Sequence, residues 1–119
     1  MRIEIFRTGT HKPIGLEPRT YTETDLDRIV TANEGKEAPI VIGHPKLSDP
    51  AYGWAKSYGR TGDVLYADVE DIDPDFQKLL NEKKYKNVSI ALNSDYTLRH
   101  IGFLGAVPPA VQGLKPVSF

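Results

Sequence analysis

The chain reads as an α+β domain: a mostly antiparallel β-sheet curled into a small barrel, with two flanking helices. Short stretches of alternating apolar and polar residues recur along its 119 residues, separated by Gly, Pro, Asn and Asp. Two other segments open with helix caps and then place apolar residues at helical spacing. No internal repeat, heptad run or low-complexity tract competes with this reading, and the length suits one domain spanning residues 1–119.

In order, Arg2–Arg7 alternates Ile3 and Ile5 with Arg2, Glu4 and Phe6, which predicts a first strand ending at Gly9. Residues 10–19, with two prolines and a glycine, read as loop. Thr22 is an N-cap with acid in the first turn, Leu26, Ile29 and Val30 share one stripe, and Gly35 stops the helix. Residues 38–43 form a short buried strand that delivers His44 at its end. After a loop at 45–53, residues 54–58 and 64–70 read as strands around a turn at 59–63. Asp73 caps a second helix with Pro74 at its first position, Phe76, Leu79 and Leu80 on the buried stripe, and Lys83 and Lys84 in the last turn. Residues 88–93 and 98–103 make a hairpin, followed by a turn at 108–110 and a tail ending at Val117, Ser118 and Phe119. The tally is about seven strands and two helices.

Composition removes several functions. Lys and Arg number 15 against 16 Asp and Glu, so no overall positive field draws nucleic acid or anionic lipid. With no cysteine, disulfides, thiolate catalysis and cysteine-ligated zinc are excluded. Apolar runs such as residues 38–42 fall far short of the roughly 20 residues that span a bilayer, and residues 1–9 lack the apolar core of a signal peptide. A soluble, unsecreted protein is expected. The glycines at 59 and 62 lack phosphate-loop spacing, and Trp54 and the tyrosines lack the basic interleaving of an RNA face.

Chemistry concentrates in residues 85–110. An even-sized loop centred on Ser94 and Asp95 sets Ser89 opposite His100 and Val88 opposite Ile101, with a hydroxyl and an imidazole on one face and apolar side chains on the other. A one-residue slip separates Ser89 and His100 onto opposite faces. A serine hydroxyl needs a base to become a nucleophile, and the base works best when a third group orients it. Ser89, His44 and His100 are therefore the candidate catalytic residues, with Arg99, Gly102 or backbone N–H groups as oxyanion supports. His11 looks exposed and receives no role. Two alternatives stay open on the residues alone. The histidines have ordinary structural explanations, or they ligate a metal with Asp49, Asp68 or Asp95 supplying an oxygen, although no short-range ligand spacing is present.

Five collinear blocks, at residues 38–45, 51–54, 65–69, 85–90 and 98–110, resemble the prohead maturation proteases of tailed phages, including the protease and scaffold proteins of Mu-type prophages, which are fold relatives of herpesvirus assemblin. The resemblance spans about the last two thirds of the chain. It implies a serine endopeptidase with His44 and Ser89 as the catalytic pair. Assemblin-like members use a second histidine on the strand after the serine, matching His100. Other phage members use an acid, for which Asp95 or Asp68 would stand. It further implies no cofactor, phage scaffold and major capsid proteins as substrates, self-association, and a place within the procapsid in the bacterial host cytoplasm. A scaffold-like extension is expected beyond the protease domain. An inactive capsid-assembly or scaffold-binding module of the same fold is the alternative, and a histidine-ligated metal hydrolase the second.

Overall fold

The computed structural model describes residues 1–46 and 48–117. Its elements are β1 (Arg2–Arg7), β2 (Gly9–His11), β3 (Arg19–Tyr21), α1 (Glu23–Asn33), β4 (Ala38–Ile42), β5 (Gly53–Thr61), β6 (Val64–Glu70), α2 (Pro74–Asn81), β7 (Asn87–Leu92) and β8 (Leu98–Leu104). Six strands form one sheet in the order β1-β6-β5-β4-β8-β7. Its two edge strands approach each other, so the sheet is a nearly closed barrel flanked by two helices. The tail crosses this remaining gap: Arg7 Nη1 donates to the Gly113 carbonyl, the Lys115 N–H to Glu4 Oε1, and the Val117 N–H to the Lys86 carbonyl. Ser118 and Phe119, the end of the expected tail, and Leu47 of the loop after His44 lie outside the described residues.

Alternation puts Ile3, Ile40, Ala55, Leu65, Ala67, Val69, Val88, Ile90, Ile101 and Phe103 inside the barrel. Phe76 and Leu80 of α2 close one end, where the Phe76 and Phe103 rings meet edge to face 5.4 Å apart. Each large buried side chain contributes on the order of 1.5–3 kcal/mol. Both helices start where capping chemistry dictates. The Asp73 carboxylate accepts the Phe76 N–H at 3.0 Å, and the Asp25 carboxylate accepts the Thr22 N–H at 2.7 Å. Arg19 pairs with Asp25 and holds its carboxyl well below the usual range, at about 2.

The structure departs from the sequence reading at several places. Residues 10–19 are not all loop, because β2 and β3 pair into a separate two-stranded sheet. β5 continues to Thr61, past the turn expected at Gly59. The second helix ends at Asn81, so Lys83 and Lys84 lie beyond it and the basic residue of its last turn is Lys78. One pairing between the described strands is parallel: β4 lies beside β8 with Ile40↔Ile101, Val41↔Gly102 and Ile42↔Phe103.

Candidate functional site

β7 and β8 pair with Ser89↔Gly102, Ile90↔Ile101 and Ala91↔His100, so Ser89 does not oppose His100 as the even-loop register expects. The physical reason is a combination of two odd features. The loop between Leu92 and Leu98 comprises residues 93–97, an odd number that by itself would swap the faces. The register then shifts between Ala91 and Leu92, with Arg99 as the extra residue on β8. Two odd steps restore the parity. Ser89 and His100 share the outer face after all, but diagonally, at positions about 7 Å apart.

The third side chain arrives from above. After β4 the Gly43 N–H donates to the Phe103 carbonyl at 2.9 Å, and Gly43 then takes φ +64°, in the region that favours glycine. This turns the chain back over the outer face, where the Gly43 carbonyl covers Gly102. A Cβ at Gly102 would lie 2.3 Å from that oxygen, so residue 102 must also lack a side chain. His44 follows, and its Nδ1 lies 3.1 Å from His100 Nε2 in a hydrogen bond between residues 56 apart in sequence. The ring centroids are 5.3 Å apart with planes tilted by 55°.

His44 is exposed and His100 partly buried. Burial, then the neighbouring His44 ring and the Arg99 charge, hold the His100 ring below the ordinary imidazole value. Ser89 is buried, at 7% exposure. Its hydroxyl makes no hydrogen bond among the described residues, and no buried side-chain polar atom is left sealed without a partner. The formed contact is thus between the two imidazoles, while the serine lies on the same face without a bond to either.

The other candidates are engaged elsewhere. The Arg99 guanidinium donates to the Leu92 carbonyl at 3.0 and 3.3 Å, which ties it to the neck of the hairpin instead of aiming it at Ser89. Gly102 serves as the floor beneath Gly43. Asp68 is paired with Arg2 at 2.9 Å and accepts from Ser57, Asp95 accepts from the Thr97 N–H, and Asp49 accepts from the Lys46 N–H, so none stands with the histidines as third catalytic member or third ligand. Among the described residues, no group of three or more His, Cys, Asp or Glu side chains could hold a metal ion. His11 is partly buried, with its ring against Phe6 and Nε2 near the Arg7 and Thr8 carbonyls.

One residue that sequence reasoning passed over organises the far end of the hairpin. Asn33, 2% exposed at the end of α1, donates to the Ile29 and Tyr96 carbonyls at 2.8 and 2.9 Å and accepts the Leu98 N–H at 2.8 Å. An asparagine just before a helix-stopping glycine reads as surface, and no local pattern marks it as buried.

Compared with protein-family models, curated proteins and solved structures, the chain matches none. Its small α+β domain, with a nearly closed barrel and two flanking helices, is consistent in shape with the assemblin and prohead-protease folds.

Proposed function

We propose that the protein is a serine endopeptidase of the prohead-maturation type, with Ser89 as nucleophile, His44 as base and His100 as the group that orients the base. One observation carries the reading most directly: the 3.1 Å hydrogen bond between His44 Nδ1 and His100 Nε2 on the face that also bears Ser89. The diagonal register supports this order of the relay. Ser89 and His100 make no hydrogen bond among the described residues, and His44, tied to His100 through Nδ1, keeps Nε2 for the serine. Modest side-chain adjustment on substrate binding then brings the hydroxyl to the ring, since catalytic hydrogen bonds are often long in unliganded sites.

In this reading His100 is neutral and accepts the His44 Nδ1–H, a role that its lowered pKa supports. Ser89 Oγ attacks the peptide carbonyl as His44 Nε2 takes its proton. The same proton passes to the leaving amine, and a water activated by His44 releases the acyl group from Ser89. The resemblance in five collinear blocks and the barrel's shape support phage scaffold and major capsid proteins as substrates. They also support self-association of the protease and action inside the procapsid, within the bacterial host cytoplasm.

A second reading, an assembly or scaffold-binding module without catalysis, is favoured by the unbonded Ser89 hydroxyl. Cleavage of a co-expressed scaffold protein by Ser89→Ala separates the two. The peptidase reading expects a loss of at least about 1,000-fold with the thermal midpoint nearly unchanged. Unchanged processing in that variant would establish the module instead.

A further inference from the structure

Peptide cleavage by a serine hydroxyl needs a hydrogen-bond donor at the oxygen where negative charge gathers, and neither side-chain candidate stands ready to serve. The Arg99 guanidinium is tied to the Leu92 carbonyl, and Gly102 lies beneath Gly43. The chain that turns over the outer face carries backbone donors of its own. Of residues 43–46, the Gly43 N–H is bonded to the Phe103 carbonyl, Pro45 has no N–H, and the Lys46 N–H goes to the Asp49 carboxylate at 2.8 Å. Only the His44 N–H makes no hydrogen bond among the described residues.

Its direction follows from the carbonyl of the same peptide unit. A Cβ placed on Gly102 would lie 2.3 Å from the Gly43 oxygen and 3.3 Å from the Gly43 carbonyl carbon. The oxygen is the nearer by most of the ~1.23 Å length of the C=O bond, so that bond points down onto the sheet. In a planar trans unit the N–H points opposite to the C=O. The His44 N–H therefore points outward, above Gly102. Ser89 is the residue opposed to Gly102, and opposed residues carry their Cβ directions on one face about 4.5–5.5 Å apart. The Ser89 side chain thus stands beside this peptide. Two constraints hold the plane: the bond from the Gly43 N–H to Phe103 on one side, and on the other Pro45, which disfavours helical backbone at His44.

We infer that the backbone N–H of His44 is the oxyanion donor, so that one residue supplies both the base and the donor. The role rests on the peptidase reading; the outward N–H does not. As Ser89 Oγ bonds to the peptide carbon, the hydroxyl proton passes to His44 Nε2 and the carbonyl π pair moves onto its oxygen, which accepts from the His44 N–H. That pair re-forms the double bond as the C–N bond breaks, and the amine leaves with the proton from Nε2. A fixed backbone donor needs no reorganisation as the charge develops, and removal of one such donor typically costs about 10²–10³ in rate.

The test compares amide NMR spectra of the nitrogen-labelled protein before and after reaction with a fluorophosphonate, which loses fluoride to Ser89 Oγ and leaves its P=O oxygen at the oxyanion position. The expected result is a downfield move of the His44 amide proton by at least about 1 ppm, with the Lys46 amide, already bonded to Asp49, nearly still. In His44→Ala the adduct forms slowly, yet the amide at residue 44 should move as far, because the donor is backbone. Replacing that amide by an ester, with the imidazole kept, should lower kcat at least about 100-fold at a nearly constant KM. An adduct on Ser89 that leaves the residue 44 amide unmoved, or an ester-linked protein with full kcat, would overturn the donor and leave the peptidase reading standing. No adduct on Ser89 would sink both.

Discussion

The tip and the middle of the β7–β8 hairpin are held in different ways. At the tip, polar groups are matched to partners: Asn33 satisfies three backbone groups, the Arg19 guanidinium reaches Tyr96 Oη at 2.7 Å, and Arg28 lies over the Tyr96 ring. Tyr96 sits there at φ 71°, an uncommon conformation for a tyrosine that its side-chain and carbonyl bonds help to hold. Along the middle of the hairpin, Gly43 and Gly102 are bare backbone, the two imidazoles hold each other, and the Ser89 hydroxyl has no hydrogen bond among the described residues. Full satisfaction fixes the register, and the loosely committed groups it positions remain available for chemistry.

The largest expected effect breaks the tip. Asn33→Ala leaves the buried Leu98 N–H and Tyr96 carbonyl without their partner, and should cost about 3 kcal/mol. A thermal midpoint lower by roughly 10 °C checks it. A loss under about 1 kcal/mol would mean that the tip is not what holds the hairpin.

Gly102→Ala attacks the middle. Its methyl group meets the Gly43 carbonyl and, at 3.2 Å, the Ser89 carbonyl, both of them backbone. The expected cost is about 2 kcal/mol of stability, with His44 displaced from His100 and peptide cleavage reduced at least about tenfold. Urea denaturation and a cleavage assay read the two effects separately. Wild-type behaviour in both would remove the turn over Gly102 from the account.

The smallest effects sharpen the comparison by pH. His100 has a folded pKa below its unfolded value of about 6.5, so the unfolded chain binds the extra proton first. Stability at the site should therefore be full above that value, and decline as pH falls from it through the folded pKa. The Asp25 carboxyl near the tip, lowered to about 2, works in a more acidic window: its contribution is present above about 3.8 and is lost as pH falls toward 2. Proton NMR of the His100 ring and carbonyl-detected NMR of Asp25 should show two separate midpoints. Coincident midpoints would contradict the assignment of distinct environments.

Much of this architecture was legible from local chemistry. Asp73 before Pro74, Thr22 before Glu23, and the alternation in β6 and β7 each identify an element because cap and period act within a few residues. The register was not legible. The extra residue at Arg99 leaves no mark on the alternation, and its effect cancels that of the odd loop, so the shared face was anticipated while the partners were not. β2 and β3 are too short to show a period, and the parallel seam between β4 and β8 joins segments far apart in sequence. Of the site, the residue types on the outer face were readable. The backward turn at Gly43 that brings His44 to His100 depends on backbone conformation and on the absence of a side chain at Gly102.

The central claim, that Ser89 is a nucleophile activated through His44, is tested most directly by covalent trapping. The protein is incubated with a fluorophosphonate, which phosphorylates activated serines, and the adduct is mapped by mass spectrometry of the digested chain. The account predicts one adduct, on Ser89, formed at least about 100-fold more slowly in His44→Ala. Labelling spread over other serines, or labelling of Ser89 at the same rate without His44, would contradict it.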